Sequence, residues 1–281
     1  MNALKPKTFF PFLKVAKYTV RDVASQKSFL VIFAVSILVV FGVRGCYQGH
    51  YMINGRELET AAVVGTVSKM TFHVIAAAAM MIAALLAMRV FRRDRDEGMQ
   101  ACVLSKPMTR RQYVLGKVFG LWMLSSVFMF VLHAVIFLTV LFKLHVVMPG
   151  YLGASLLCTV NLLFVVTAVL LFSLMMPDVA AFLLAMGIGA VSFTADAVHA
   201  VSRSPMAQAV MNRQGVPEGL TGWKIVYYLW PKIFGSQSFA STFIHGERPG
   251  LDEMYPLLNV ILWCVAAGAL LLWRFGKEEI R

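Results

Sequence analysis

Long charge-free apolar runs, separated by short basic segments, set the pattern of this chain. Ser28–Val43 is 16 residues between Lys27 and Arg44, Met70–Met88 is 19 between Lys69 and Arg89, and Val118–Phe142 is 25 between Lys117 and Lys143. Leu144–Pro177 extends for 34, but Pro149-Gly150 interrupts it and leaves Tyr151–Met176 as the helical part. Val179–Ala195 with 17 residues and Met254–Trp273 with 20 complete the set. A hydrocarbon core about 30 Å thick takes about 20 helical residues, and the runs lack the alternation of barrel strands. The pattern predicts an all-α polytopic membrane protein, one transmembrane domain over 1–281, with six spans at about 28–43, 70–88, 118–142, 151–176, 179–195 and 254–273. The first and fifth are short and need flanking residues to extend them.

Ahead of the first run the period changes. Leu13, Ala16, Val20, Val23 and Ala24 recur at helical spacing, with Lys14, Lys17, Arg21 and Asp22 on the other side. This predicts an amphipathic interfacial helix within 1–27, its lysines at anionic headgroups. Cleavage after the first span is disfavoured by the long basic region, and Arg44 sits where the lipoprotein-like Val43-Arg44-Gly45-Cys46 would need a small residue.

Composition agrees with the runs: 59% of residues are hydrophobic, 14% are charged, and the mean hydropathy is +0.73. Soluble domains carry about 25% charge, and disordered chains have far fewer apolar residues. Four cysteines without a CxxC pair give neither a disulfide scaffold nor a zinc site. Of the 26 Lys and Arg, 17 fall on the side holding both termini and the 89–117 loop, against nine on the other. The positive-inside rule then places both termini in the cytoplasm of a multi-pass protein of the plasma or inner membrane. That rule and anionic lipid account for most of the +12 charge, and no separate basic domain is left for nucleic acid.

The loop at 89–117 carries the most information. Met99, Cys102 and Val103 are spaced as one face of a short helix, Pro107 ends it, and Thr109 caps a helix running through Arg110, Arg111, Tyr113 and Lys117 into span three. Gly116 and Gly120 form a small-xxx-small pair that lets that span approach a neighbour. The order Glu97-Gly98, a short apolar helix, Leu104-Ser105-x-Pro107, the basic pair Arg110-Arg111 and Leu115-Gly116-Lys117-x-x-Gly120 resembles the permease subunits of ABC-2-type ATP-binding-cassette transporters. It is similar in particular to the six-span branch that includes the nitrous-oxide-reductase maturation permease. Met99-Gln100 replaces a common Thr-Leu pair, and Arg93 and Arg95 stand in a usually more acidic run.

The resemblance implies a coupling helix after span two, formed by Glu97, Gly98, Met99, Cys102, Val103, Leu104, Ser105, Pro107, Arg110 and Arg111, that seats in a separate ATPase. It also implies a dimer with a second permease copy or paralogue, two ATPase subunits, and export. The residues independently call for such a partner. Neither Gly116-Lys117 nor Gly276-Lys277 belongs to a phosphate-binding GxxxxGK[ST] loop, so this chain is expected to be no enzyme, with no catalytic, cofactor or metal site. ATP and magnesium are expected in the partner.

His73, His133 and Asn161 lie inside spans, where polar groups face the bundle or water. Two readings stay open for them: a translocation path, or interhelical hydrogen bonds. No acidic partner is expected within a span. The 58 residues from Asp196 to Glu253 form the outer loop, in which Trp223, Ile225, Val226, Leu229 and Trp230 suit an interfacial helix or an element dipping into the membrane. The sequence therefore points to a transporter permease, the alternative being a non-transporting membrane component that passes ATPase-driven motion to an extracytoplasmic partner.

Overall fold

The computed structural model describes residues 11–43, 52–53, 56–57, 60–105, 108–202, 227–246, 250 and 254–277. Pro107, Trp223, Ile225, Val226, Cys46 and Glu253 lie outside the described residues. The structure is all-helical apart from a two-residue antiparallel pair, Met52–Ile53 with Arg56–Glu57. Among the described residues five helices are long and apolar enough to cross a membrane, and the number is six if a bent pair forms one span.

The bent pair is α1 (Pro11–Ala24) and α2 (Lys27–Gly42), which meet at 71°. At 16 residues α2 is about 24 Å long, short for a hydrocarbon core. Its Leu30, Val31, Val35, Leu38 and Val39 are exposed, as residues facing lipid or a protein neighbour would be. The apolar side of α1 is already occupied. Val15, Ala16, Thr19 and Val23 are buried, while Lys14, Lys17 and Arg21 stay exposed. Its partner is α6 (Arg110–Leu144), whose Gly116 and Gly120 present bare backbone. A β-carbon at Gly116 would lie 2.6 Å from Val15 Cβ, and one at Gly120 would lie 2.8 Å from the Ala16 carbonyl oxygen. The small-residue pair thus brings α1 against α6.

α3 (Thr60–Ala87) begins well before the charge-free run and keeps Lys69 within the helix. Past a turn at 88–89 it continues as α4 (Val90–Asp96), so the helical element from Val64 to Asp96 is 33 residues. α5 (Met99–Leu104) follows Gly98, whose φ of +67° makes the turn that a side chain would strain. α6 opens on a capping box: Gln112 N donates to Thr109 Oγ1 at 3.3 Å, and Thr109 N donates to Gln112 Oε1 at 3.0 Å. α7 (Pro149–Ser173) starts with proline in its first turn and is the most enclosed span, with 67% of its most apolar window buried. It is the central post of the bundle, packed by α3, α6, α8 and the last helix.

α8 (Asp178–Ser202) runs seven residues beyond the apolar segment that ends at Ala195. It carries Asp196 inside the helix because that carboxylate is neutralised there. α9 (Ile233–Thr242), a 3₁₀ turn at Phe243–His245 and α10 (Tyr255–Gly276) complete the chain.

α9 is the main departure from a plain six-span bundle. The chain passes down α10, with Tyr228 O accepting from Asn259 Nδ2 at 3.2 Å and Leu229 O accepting from Trp263 Nε1 at 2.8 Å. It turns at Pro231-Lys232 and climbs along α8. Trp230 Nε1 donates to Ile188 O at 3.2 Å, Ile233 N to Ser192 Oγ at 3.0 Å, and Gly235 N to Asp196 Oδ2 at 2.8 Å. Asn161, in the middle of α7, donates to Ile233 O at 3.0 Å, while the far end of α9 reaches Gly150 in the first turn of α7. Ten residues make α9 about 15 Å long, half a hydrocarbon core. It is the rising arm of a re-entrant hairpin, not a span.

Candidate functional site

Two parts of the bundle carry polar groups in defined geometry. At the end bearing α4 and α5, Asp94 is 3% exposed and ion-paired to Lys117 Nζ at 2.6 Å, and it also accepts a hydrogen bond from the Tyr113 hydroxyl. A buried carboxylate needs such pairing, since an unpaired charge is very costly there. Phe91 of α4, Tyr113 of α6 and Phe275 of α10 pack ring to ring, with centroids 5.3 to 6.4 Å apart. Arg110 Nη1 donates to Gly276 O at 3.2 Å, one of the carbonyls that end α10. Arg92 pairs with Asp178 at 3.1 Å, and Arg93 pairs with Asp22 of α1. The base of α5 is therefore tied to α1, α6, α8 and α10.

α5 stands out from this platform. Met99 is 49% exposed and Cys102 is exposed, whereas Val103 is half-buried and the polar Gln100 is buried. Ser105 Oγ donates to Cys102 O at 2.9 Å and closes the last turn. Glu97, Gly98 and Arg111 are exposed around it. Backbone positions of Leu104 are helical, and its side chain lies outside the described set. The structure thus brings Glu97 to Ser105 and Arg110 and Arg111 to one end of the molecule and leaves the apolar Met99 facing outward.

The three polar residues within spans divide. His133 is fully buried, with Nδ1 2.9 Å from Ser155 Oγ and its ring stacked on Phe72 at 4.7 Å between centroids. Asn161 is bonded at both ends of its amide, to Ile233 O and to the Ser236 hydroxyl. These contacts join α3, α6, α7 and α9. His73 differs. It lines a cavity of about 380 Å³ between α3, α7, α8 and α9, with Gln237, Phe193, Phe234, Met80 and Gly189 among the other walls. Its Nδ1 is buried without a hydrogen-bond partner among the described residues.

A second buried ion pair lies where the apolar segment of α8 ends. Asp196 of α8 and Lys232 of the hairpin pair at 3.1 Å, with side chains 10% and 4% exposed. Lys232 also sits over the Tyr227 ring. Asp196 bounds the outer loop and Lys232 lies within it. The two lie 36 positions apart along the chain, a distance for which no local spacing rule exists. The α9 element is weakly marked in the sequence for a related reason. Ile233–Gly246 is 14 residues without Lys, Arg, Asp or Glu, but its four Ser and Thr side chains dilute the apolar signal. Likewise Asp94, Tyr113 and Lys117 meet only because α6 returns beside α4.

Such a bundle, with its apolar exterior and half-span hairpin, defines a polytopic α-helical membrane protein. Residues 13–280 match the model of the ABC-2 family transporter proteins, so this chain belongs to that family and is the membrane component of a transporter. No curated protein matches the chain.

Proposed function

We propose that this chain is the permease subunit of an ATP-driven exporter of the six-span branch resembling the nitrous-oxide-reductase maturation permease. In this reading two permease subunits pair in the plasma or inner membrane with both termini cytoplasmic. Two copies of a separate ATPase bind ATP and magnesium, and α5 is the coupling helix that seats in each. The observation that carries it is α5 itself: a six-residue helix between two spans, with Met99 turned outward and its base braced by the Asp94–Lys117 pair. An exposed apolar side chain on a braced projection suits a protein groove, and the bracing lets a push on α5 reach α1, α6, α8 and α10 as one body. A cavity within the bundle favours transport over a purely force-transmitting component.

Replacing Met99 and Val103 together with Asp places two charges in that groove, where unpaired burial costs several kcal/mol. The expected result is loss of ATPase co-purification and of permease-dependent ATP turnover in nanodiscs, with the permease still folded. Unchanged binding and turnover would remove the coupling assignment.

A further inference from the structure

The cavity beside His73 has a chemistry that the transport reading leaves open. Of its lining side chains only His73 and Gln237 are polar, and Gln237 Nε2 donates to His73 O at 2.9 Å. Beside it His73 Nδ1 is buried and unpartnered among the described residues. A dry polar atom is unfavourable until something meets it. The surrounding wall is apolar and aromatic: the Phe234 ring lies 5.5 Å from the imidazole and 4.8 Å from the Phe193 ring, centroid to centroid.

The mouth is equally informative. Val74 is 60% exposed and Phe193 is 53% exposed, and Gly189 is half-buried with open space where a side chain would sit. All three lie inside charge-free apolar runs of α3 and α8, so the cavity opens sideways at hydrocarbon depth instead of toward either aqueous face. A sugar, an ion or a polypeptide would leave most of its polar groups dry in such a site. A metal would find no ligand set, since no group of three His, Cys, Asp or Glu comes together among the described residues. The volume is in the range that holds a compact ligand or one folded chain.

We propose that this cavity is the entry subsite for a bilayer-resident amphiphile, an apolar chain whose single hydrogen-bonding group meets His73 Nδ1 while the chain lies against Phe234 and Phe193. The inference rests on the transport reading and supplies its substrate class.

The test uses the permease with its ATPase in phosphatidylcholine–phosphatidylglycerol nanodiscs. The probe is a diazirine-bearing hexadecanol, compared with the matching hexadecane that lacks the hydroxyl. Irradiation followed by peptide mapping is expected to place the alcohol on peptides containing His73 and Phe234, with the alkane labelling them about fivefold less, as for one lost hydrogen bond. His73→Phe keeps an aromatic ring and removes both ring nitrogens, so it should lower labelling by the alcohol to the level of the alkane. Gly189→Leu, whose side chain enters open space, should remove more than about nine-tenths of it by filling the mouth. Equal labelling of the exposed Trp263 face, or indifference to both substitutions, overturns the proposal. So does disulfide trapping of Gly189→Cys between two copies with the probe excluded throughout, which would make the mouth a subunit interface. The Met99 and Val103 variants keep the two readings separate. Coupling without labelling rejects only the ligand class, and labelling without coupling rejects the transporter reading while the site stands.

Discussion

Single glycines show how residue identity sets helix approach. At Gly120 the backbone of α1 comes so near that a β-carbon would meet the Ala16 carbonyl at 2.8 Å and Thr19 Cβ at 2.9 Å. Neither neighbour is the free end of a flexible side chain, so the helices would have to separate. Gly187 and Gly189, by contrast, meet nothing within 4 Å. Gly120→Val is therefore expected to destabilise the bundle by about 1–3 kcal/mol relative to Gly187→Val, the usual cost of overpacking. Thermal denaturation of the two variants in the same detergent compares them directly, and equal midpoints would contradict the close α1–α6 contact. The spacing of Gly116 and Gly120 could be read from the chain. The helix they admit could not, because nothing local marks α1 as the partner.

Among the elements, the re-entrant hairpin depends most on pairing between distant residues. Its tip brings Lys232 beside Asp196, and Asp196 also accepts from Gly235 N, so one carboxylate holds both sides of the turn. Removing one member of a buried pair leaves the other charge uncompensated, a loss of about 3–5 kcal/mol. Lys232→Met should therefore sharply lower the yield of folded protein and its unfolding midpoint. Adding Asp196→Asn, which keeps an acceptor for Gly235 N but no charge, should recover most of the loss. If the double variant is no better than the single, the pair is not what secures the hairpin. The same logic at the other end of the bundle explains Lys117, which lies between Gly116 and Gly120 at the entry to α6. Its ammonium is buried against Asp94 and so belongs to the platform beneath α5.

For the molecule as a whole, the distribution of basic residues yields a topology that labelling can check. With both termini cytoplasmic, the turn between α6 and α7 and the segment before α10 face outward. Cysteines at Val147 and Gly250, introduced in a background without the native cysteines, should react with an impermeant maleimide on intact cells. Cysteines at Ser105 and Lys277 should react only after lysis. Val147 and Gly250 are exposed, so absence of reaction at either would report the membrane side and not burial. Reaction of Ser105 on intact cells would invert the assignment.

The sequence by itself determined the order of the five long apolar helices, the amphipathic character of α1, and the interruption of the helices by α5 between two spans. Each of these is written in neighbours a few residues apart: a charge-free run long enough for hydrocarbon, a 3.6-residue period, a cap at Thr109. Tertiary structure decided what the polar minority does. Asp94 with Lys117, Asp196 with Lys232 and Asn161 with Ser236 are each joined across long stretches of chain, and burial of a polar group is tolerated only where such a partner arrives. His73, His133 and Asn161 look alike as isolated polar residues in apolar runs. Packing satisfied the second and third and left the first facing a cavity, because hydrogen bonding is settled by which helices meet, and the apolar pattern that makes a span contains no record of its neighbours.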